Sequence, residues 1–287
     1  RGLAADDSVA LLLLRAWRAP QMNLPLRRCA LALGICVGVL QLPAQAADAA
    51  SLLANLNAQR LGAYQLQTLF HLLTIEEGAS AVAQQLNSTA NSFALQVEQM
   101  DELSAGLGLD AEVAGVQVEA RRLRQLAGSN EIISQGYVDL HTQNDLSISA
   151  GALAAGYADL LGKLAQQGQP NDPLQEQAIL MQRITAGYVR ESASLDGGSA
   201  IYDSANDLEQ SVDSLAAEFR QHLQALDQRY AGQPLVRARL KQVATTWNFI
   251  EKPLQHYKEK SVPFIVVRYS NTIVADLTAA EQVQASR

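Results

Sequence analysis

Two arginines occupy equivalent places in a short motif that the chain contains twice. Ala58-Gln59-Arg60-Leu61 precedes Tyr64, and Met181-Gln182-Arg183-Ile184 precedes Tyr188, 123 residues later. A guanidinium offers five N–H donors in a planar fork, which suits a planar anion or a carboxylate. Since chemistry that was duplicated should leave its residues twice, the motif predicts a ligand site. Its candidate residues are Arg60, Arg183, Gln59, Gln182, Tyr64 and Tyr188.

Structural roles for the same residues remain open. Each arginine stem can lie along a helix bundle with its charged head in water, or the guanidinium can pair with an acidic residue on a neighbouring helix. A tyrosine in a helical bundle can pack in the core with its hydroxyl satisfied. A ligand role requires that Arg60 and Arg183 face a cavity rather than form intramolecular ion pairs.

No other set of residues has the spacing of a known catalytic or metal site. The sequence lacks His-x-x-x-His, the Glu-x-x-His of di-iron bundles, Cys-x-x-Cys-His, Gly-x-Ser-x-Gly and a phosphate loop. We therefore expect no enzyme activity, no metal and no cofactor. We interpret the histidines as exposed or half-buried and the acidic pairs as solvated surface: His71, His141, His222, His256, Glu76-Glu77 and Asp101-Glu102.

A second, longer match supports an internal duplication. Leu123–Ile133 aligns without a gap with Leu240–Ile250, 117 residues later. A repeat of this length predicts two similar modules in tandem. Trp247 stands opposite Asn130 in this match, so we assign the tryptophan to packing rather than to a repeated site.

Helix-forming residues and three- to four-residue apolar spacing predict an all-α fold. Residues 47–167 are predicted to form a first module. Its first helix covers about 50–75, its second continues to about 107, and its third and fourth cover about 110–141 and 145–166. Residues 172–287 form a second, with helices over about 173–194, 204–231, 234–258 and 261–282. Each module is predicted to be an up-and-down bundle of four helices, and the loop-like segment 166–173 separates them.

Local signals mark several of these helix ends, and Glu77-Gly78 is predicted to stop the first helix. Asp172 and Pro173 suit the N-cap and the first position of a helix. Ser204 with Asp207 and, later, Ser261 can cap further helices. Phe264–Tyr269 is β-branched and aromatic and on propensity alone favours a strand. Because its counterpart in the first copy is alanine-rich, we predict a helix there as well.

The first 46 residues have the pattern of an export signal. Met22 is followed by Arg27-Arg28, an apolar run and Ala44-Gln45-Ala46, a signal-peptidase pattern. We predict a signal peptide over 22–46, an unfolded upstream extension over 1–21, and a periplasmic location in a Gram-negative bacterium. The apolar run is shorter than the ~20 residues that span a bilayer. Both cysteines lie within it, so the mature chain is expected to contain no disulfide.

The chain is acidic, which bears on its partners. It contains 22 Lys and Arg against 29 Asp and Glu, a net charge of −7. Loss of residues 1–46 would remove five arginines and two aspartates and leave a more acidic mature chain. This balance argues against nucleic acid as a partner. A small anion in a local basic pocket remains compatible with it.

The repeated motif resembles that of a known sensor family. The family is that of PilJ-like periplasmic domains, which occur in chemotaxis transducers of type IV pili and are related to nitrate/nitrite sensors of the NarX type. Its first helix carries a motif whose Gln-Arg-Met core resembles Gln59-Arg60-Leu61 and Gln182-Arg183-Ile184. Ala63 and Ala186 stand at the motif's serine. The family's flanking arginines are replaced by Ala58, Gln65, Met181 and Tyr188.

The resemblance implies a periplasmic sensing module of up-and-down helices. In that family, arginines of the first helix help to bind a small anion such as nitrate, and only Arg60 and Arg183 match them here. It also implies a membrane receptor or pilus component as partner and a homodimer as oligomeric state. Because no apolar run of ~20 residues follows the signal, we expect a sensing or binding protein without its own signalling domain. The alternative is a structural or protein-interaction bundle with no small-molecule ligand.

Overall fold

The structure of the protein, a computed structural model, describes residues 42–197, 210–257 and 261–286. Within these ranges the chain is almost entirely helical and contains no strand, which confirms the predicted all-α class. The helices are α1 (Leu42–Ile75), α2 (Ser80–Glu98), α3 (Met100–Ser104), α4 (Asp110–Gly128), α5 (Ile132–Gln135), α6 (Leu140–Gln166), α7 (Pro173–Gly197), α8 (Val212–Arg229), α9 (Pro234–Gln255) and α10 (Pro263–Ala285). Among the described helices, none has a stretch long and apolar enough to cross a membrane.

Buried apolar side chains form two clusters. The N-terminal core is built from α1, α2, α4 and α6 and includes Phe70, Phe93 and Leu160. The C-terminal core is built from α7 to α10, with Leu72 of α1 as an additional member, and contains Phe219 stacked on Trp247 at 4.3 Å between ring centroids. Pro43–Arg287 nevertheless form one compact unit, because α1 contacts both cores.

Helices α1 and α7 lie side by side and run in the same direction. Near the start of α7, Asn57 donates to Asn171 at 2.9 Å and Arg60 donates to Glu176. Farther along, His71 of α1 lines the same cavity as Arg190 of α7. Both helices are buried along most of their length, including polar positions. The contact between them is therefore partly polar.

Helix ends with strong local signals agree with the prediction. Asp172 caps α7, since its Oδ1 accepts from the backbone N–H of Leu174 at 2.7 Å, and Pro173 is the first helical residue. Gly78 ends α1 at φ +83°, and its N–H donates to the Leu73 carbonyl at 2.8 Å. Phe264–Tyr269 lies within α10, so the helix predicted there is confirmed.

The second predicted helix is interrupted at Gln99, where α2 gives way to α3. Side-chain amides from other helices occupy the carbonyls that the continuing helix would use. Asn55 donates to the Gln96 carbonyl at 3.1 Å, and Gln117 donates to the Val97 carbonyl at 3.2 Å. Such insertion into the i→i−4 hydrogen-bond ladder breaks a helix.

The third predicted helix also ends early, at Gly128 rather than near His141. The Asn130 side chain donates to the Phe70 carbonyl at 2.8 Å and accepts from the Ile132 N–H at 3.1 Å, which fixes a turn. In the matching segment of the second copy Trp247 lies inside α9, which continues to Gln255. The two aligned segments therefore differ in structure.

Several predictions fall elsewhere. The upstream extension, nearly all of the signal peptide and the Ser204–Asp207 capping pair lie outside the described residues. Helix α8, which corresponds to the sixth predicted helix, begins at Val212 with Ser211 as its N-cap. The cap predicted at Ser261 is wrong by one residue, because Val262 precedes α10 and Pro263 opens it. Ser261 instead donates to the Ser192 hydroxyl of α7.

Candidate functional site

One face of α1 carries a row of polar side chains. Arg60, Tyr64, Gln67 and His71 follow one another at steps of four, three and four residues, which places them in line on a helix surface. This row faces the space between α1 and its neighbours α6 and α7, because its members line two cavities there. The row is therefore the part of α1 that a ligand could contact.

The larger of these, the Arg183 cavity, lies between α1, α7 and the amino end of α8. Its volume is about 210 Å³. Ser211 and Val212 line it, and they are the N-cap and the first residue of α8. A helix amino end presents unpaired backbone N–H groups and a positive partial charge. The polar side chains that line the cavity include Tyr64, Gln67, His71, Arg183, Arg190 and Glu191.

Positive charge prevails among the described lining residues. Arg190 lies 3.7 Å from Glu191, so these two charges offset each other. Arg183 is half-buried and has neither a hydrogen-bond nor an ion-pair partner among the residues that the structure describes. A guanidinium at a cavity wall that pairs with no carboxylate of the described residues favours an anion as the occupant.

His71 contributes a neutral imidazole to the same cavity. It is 3% exposed, and its ring packs edge-on against Phe70 with 5.2 Å between centroids. Burial, and after it the charge of Arg190, lowers the pKa of His71 from 6.5 to about 3. At neutral pH the ring therefore has one N–H donor and one acceptor nitrogen. Neither is bonded to a described residue, so both can serve a bound molecule.

Arg60 has a different environment from Arg183. Its guanidinium makes a bidentate pair with Glu176 of α7, at 2.7 Å from Nη1 to Oε1 and 2.9 Å from Nη2 to Oε2. Asn171 also donates to this carboxylate, and Arg60 donates to Asn57 at 3.2 Å. The charge of Arg60 is thus neutralised within the protein. Arg60 therefore has the structural role of an ion pair with an acidic residue on a neighbouring helix.

Arg60 also lines a second, smaller space, the Arg60 cavity, of about 140 Å³. It lies between α1 and α6 and shares Tyr64 and Gln67 with the Arg183 cavity. The α6 wall consists mainly of alanine and leucine, namely Ala150, Leu153, Ala154, Ala158 and Leu161, together with Tyr157.

The other three sequence candidates are in the cores. Gln59 is fully buried, donates to Asn55 and accepts from the Tyr157 hydroxyl at 3.1 Å. Gln182 is buried and donates to Asn271 at 3.3 Å. Tyr188 is fully buried, and its hydroxyl accepts from the Val262 N–H at 2.8 Å. The structure thus brings Arg183 and Tyr64 together at one cavity, whereas these three hold helices together.

Sequence reasoning missed His71, Arg190 and the start of α8. His71 lies seven residues after Tyr64, on the same helix face, and this spacing was the available signal. The requirement that site residues recur with both motifs excludes it, because the residue 123 positions later is Ser194. The expectation of an exposed or half-buried imidazole is wrong for His71, whereas His141, His222 and His256 are exposed.

Comparisons with models of protein families, with curated proteins and with solved structures found no match to this chain. The residues around the Arg183 cavity are therefore the basis on which a function can be assigned.

Proposed function

We propose that the protein is a helical binding protein that holds a small anion in the Arg183 cavity. The observation that carries this proposal is the half-buried guanidinium of Arg183, which lines the cavity and has no partner among the described residues. Charge-assisted hydrogen bonds to a guanidinium are shorter and stronger than neutral ones. An anion there would also meet the neutral His71 and the amino end of α8.

The broader setting of this proposal is a periplasmic sensing module similar to PilJ-like domains. The signal-like residues 22–46 and the repeated Gln-Arg motif support it. Of the two arginines that match the family motif, Arg183 is the one available to a ligand, because Arg60 is bound to Glu176. The site would therefore hold a single anion beside α7.

The same proposal includes an origin by duplication, with two up-and-down modules of four long helices each. The two separate cores support it, as does the ungapped match of Leu123–Ile133 to Leu240–Ile250. The different courses of these segments, a turn at Asn130 and an unbroken helix at Trp247, would then be later divergence.

The test is a thermal-shift and calorimetric screen of the purified chain with nitrate, nitrite, acetate and glutamate. A ligand at 100 times its Kd should stabilise the fold by about 2.7 kcal/mol. Arg183→Gln should abolish the shift, whereas Arg122→Gln, a change at an exposed arginine of α4, should leave it intact. Absence of binding by every anion, or equal binding by the Arg183→Gln variant, would refute the proposal.

A second function is favoured by the bidentate Arg60–Glu176 pair. This pair and the Asn57–Asn171 bond join α1 to α7 and hence the two cores to each other. A chain in which Arg60 serves this contact and Arg183 binds no ligand would be a structural or interaction bundle. The anion screen separates the two functions, because a structural bundle would show no Arg183-dependent stabilisation.

A further inference from the structure

The two cavities beside α1 follow one another along the helix. Arg60 lines only the Arg60 cavity and His71 only the Arg183 cavity, whereas Tyr64 and Gln67 line both. The order of cavities thus reproduces the order of the four side chains along α1. Tyr64 and Gln67 form the wall between the two spaces.

The two spaces differ in chemistry. Arg183, Arg190 and His71 make the first one charged and polar. Alanine and leucine side chains from α6 make the second mainly apolar. Arg60, the one cation among its described lining residues, is already neutralised by Glu176. A molecule that filled both spaces would therefore need an anionic head and an apolar body.

We infer that the two cavities form one elongated site for a monocarboxylate with an unbranched aliphatic chain. This inference rests on the proposed anion-binding function and names the class of ligand. The carboxylate lies at Arg183, because a planar two-oxygen anion matches the guanidinium fork. The chain passes Tyr64 and Gln67 and lies along Ala150, Ala154 and Ala158 of α6.

The wall between the cavities permits this passage at Gln67. Its amide donates to the Ala63 carbonyl at 3.2 Å, a bond within its own helix. Rotation of the Gln67 side chain therefore breaks no hydrogen bond between the described helices. The small side chains at 150, 154 and 158 leave the space along α6 that a polymethylene chain needs.

The inference predicts a graded affinity for acetate, butyrate, hexanoate and octanoate, measured by isothermal titration calorimetry on the purified chain. Each buried methylene should lower Kd about fourfold, the factor that corresponds to burial of one CH₂. Ala154→Phe should fill the Arg60 cavity, retain acetate binding and abolish the gain with chain length. Ala155→Phe is the control, because Ala155 is exposed like Ala154 but does not line the cavity; this variant should retain the full series.

Failure of this inference is distinguishable from failure of the anion site. If acetate or nitrate binds through Arg183 but affinity does not rise with chain length, the elongated site is wrong and the anion site stands. The same conclusion follows if the rise persists unchanged in Ala154→Phe, because the chains then bind elsewhere. If no anion binds and Arg183→Gln changes nothing, both proposals are wrong.

Discussion

The ion pair between α1 and α7 should contribute measurably to stability. Surface pairs are worth about 0–1 kcal/mol, whereas loss of one partner of a buried pair costs about 3–5 kcal/mol. The Arg60 side chain is 16% exposed and that of Glu176 is 43% exposed, so this pair lies between the two cases. With two hydrogen bonds of 2.7 and 2.9 Å, we expect a coupling energy of about 1–2 kcal/mol.

The assay is a double-mutant cycle measured by urea unfolding. Arg60→Gln, Glu176→Gln and the double variant give the coupling energy directly. The matched control is the pair of Arg237 with Asp227, which is also bidentate, at 2.9 and 3.0 Å, but whose arginine is 42% exposed. We expect a smaller coupling there, because water screens both of its charges.

The comparison isolates the effect of burial from that of geometry. A coupling of Arg60 with Glu176 that is zero within error, or no larger than that of the control pair, would refute the reasoning. The α1–α7 contact would then depend on apolar packing, and the structural function proposed for the duplicated arginine would lose its support.

Two further predictions concern single residues near the same helix. Folding lowers the pKa of His71, so below pH 6.5 the unfolded chain binds a proton that the native chain excludes, and the stabilisation present above pH 6.5 is lost as pH falls toward about 3. The free energy of unfolding should then fall with a slope that approaches about 1.4 kcal/mol per pH unit, and His71→Gln should reduce this slope in urea unfolding at a series of pH values. An unchanged slope would contradict the assignment. Gly78→Ala should destabilise the native fold by about 1 kcal/mol or more, because φ is +83° and the added Cβ would lie 2.9 Å from the Ile133 side chain. Gly162→Ala, in open space on α6, should instead stabilise the fold by about 0.5–1 kcal/mol. Equal changes in melting temperature for the two variants would contradict this prediction.

The parts of the fold that local chemistry dictates could be predicted from the sequence. An Asp-Pro pair starts α7 and a glycine with positive φ ends α1 because each signal acts within a few residues. The helical state of Phe264–Tyr269 is not locally determined. It could be predicted only through the proposed duplication, because the matching alanine-rich segment favours a helix.

The helix breaks could not be predicted in this way, because their causes lie in other helices. Asn55 and Gln117 reach α2 from α1 and α4, and Asn130 reaches back to α1 across a separation of 60 residues. No sequence pattern within α2 or α4 predicts these hydrogen bonds. Propensity and periodicity describe a helix by itself, whereas these breaks depend on which helices are neighbours.

Arg60 and Arg183 occupy equivalent places in the repeated motif but have different neighbours, because of the register between α1 and α7. Arg60 and its partner Glu176 are 116 residues apart, and Asn57 and Asn171 are 114 apart, whereas the repeated motif recurs after 123 residues. Helix α7 is therefore displaced along α1 by about seven residues, or two helical turns, from the position that would place the motifs opposite each other.

This displacement explains why the two arginines have different surroundings and why the residues of the Arg183 cavity could be predicted only in part. Arg60 meets the first turn of α7, where Glu176 supplies a carboxylate, and Arg183 meets the later turns of α1, where Gln67 and His71 lie. A filter that keeps only duplicated residues assumes equivalent surroundings, and a shifted register makes the surroundings unequal. The residue of α1 that this register places opposite Arg183 is Gln67, which has no carboxylate to pair with the guanidinium. Arg60 is thereby a structural contact, and Arg183 is the arginine for which we propose an anion.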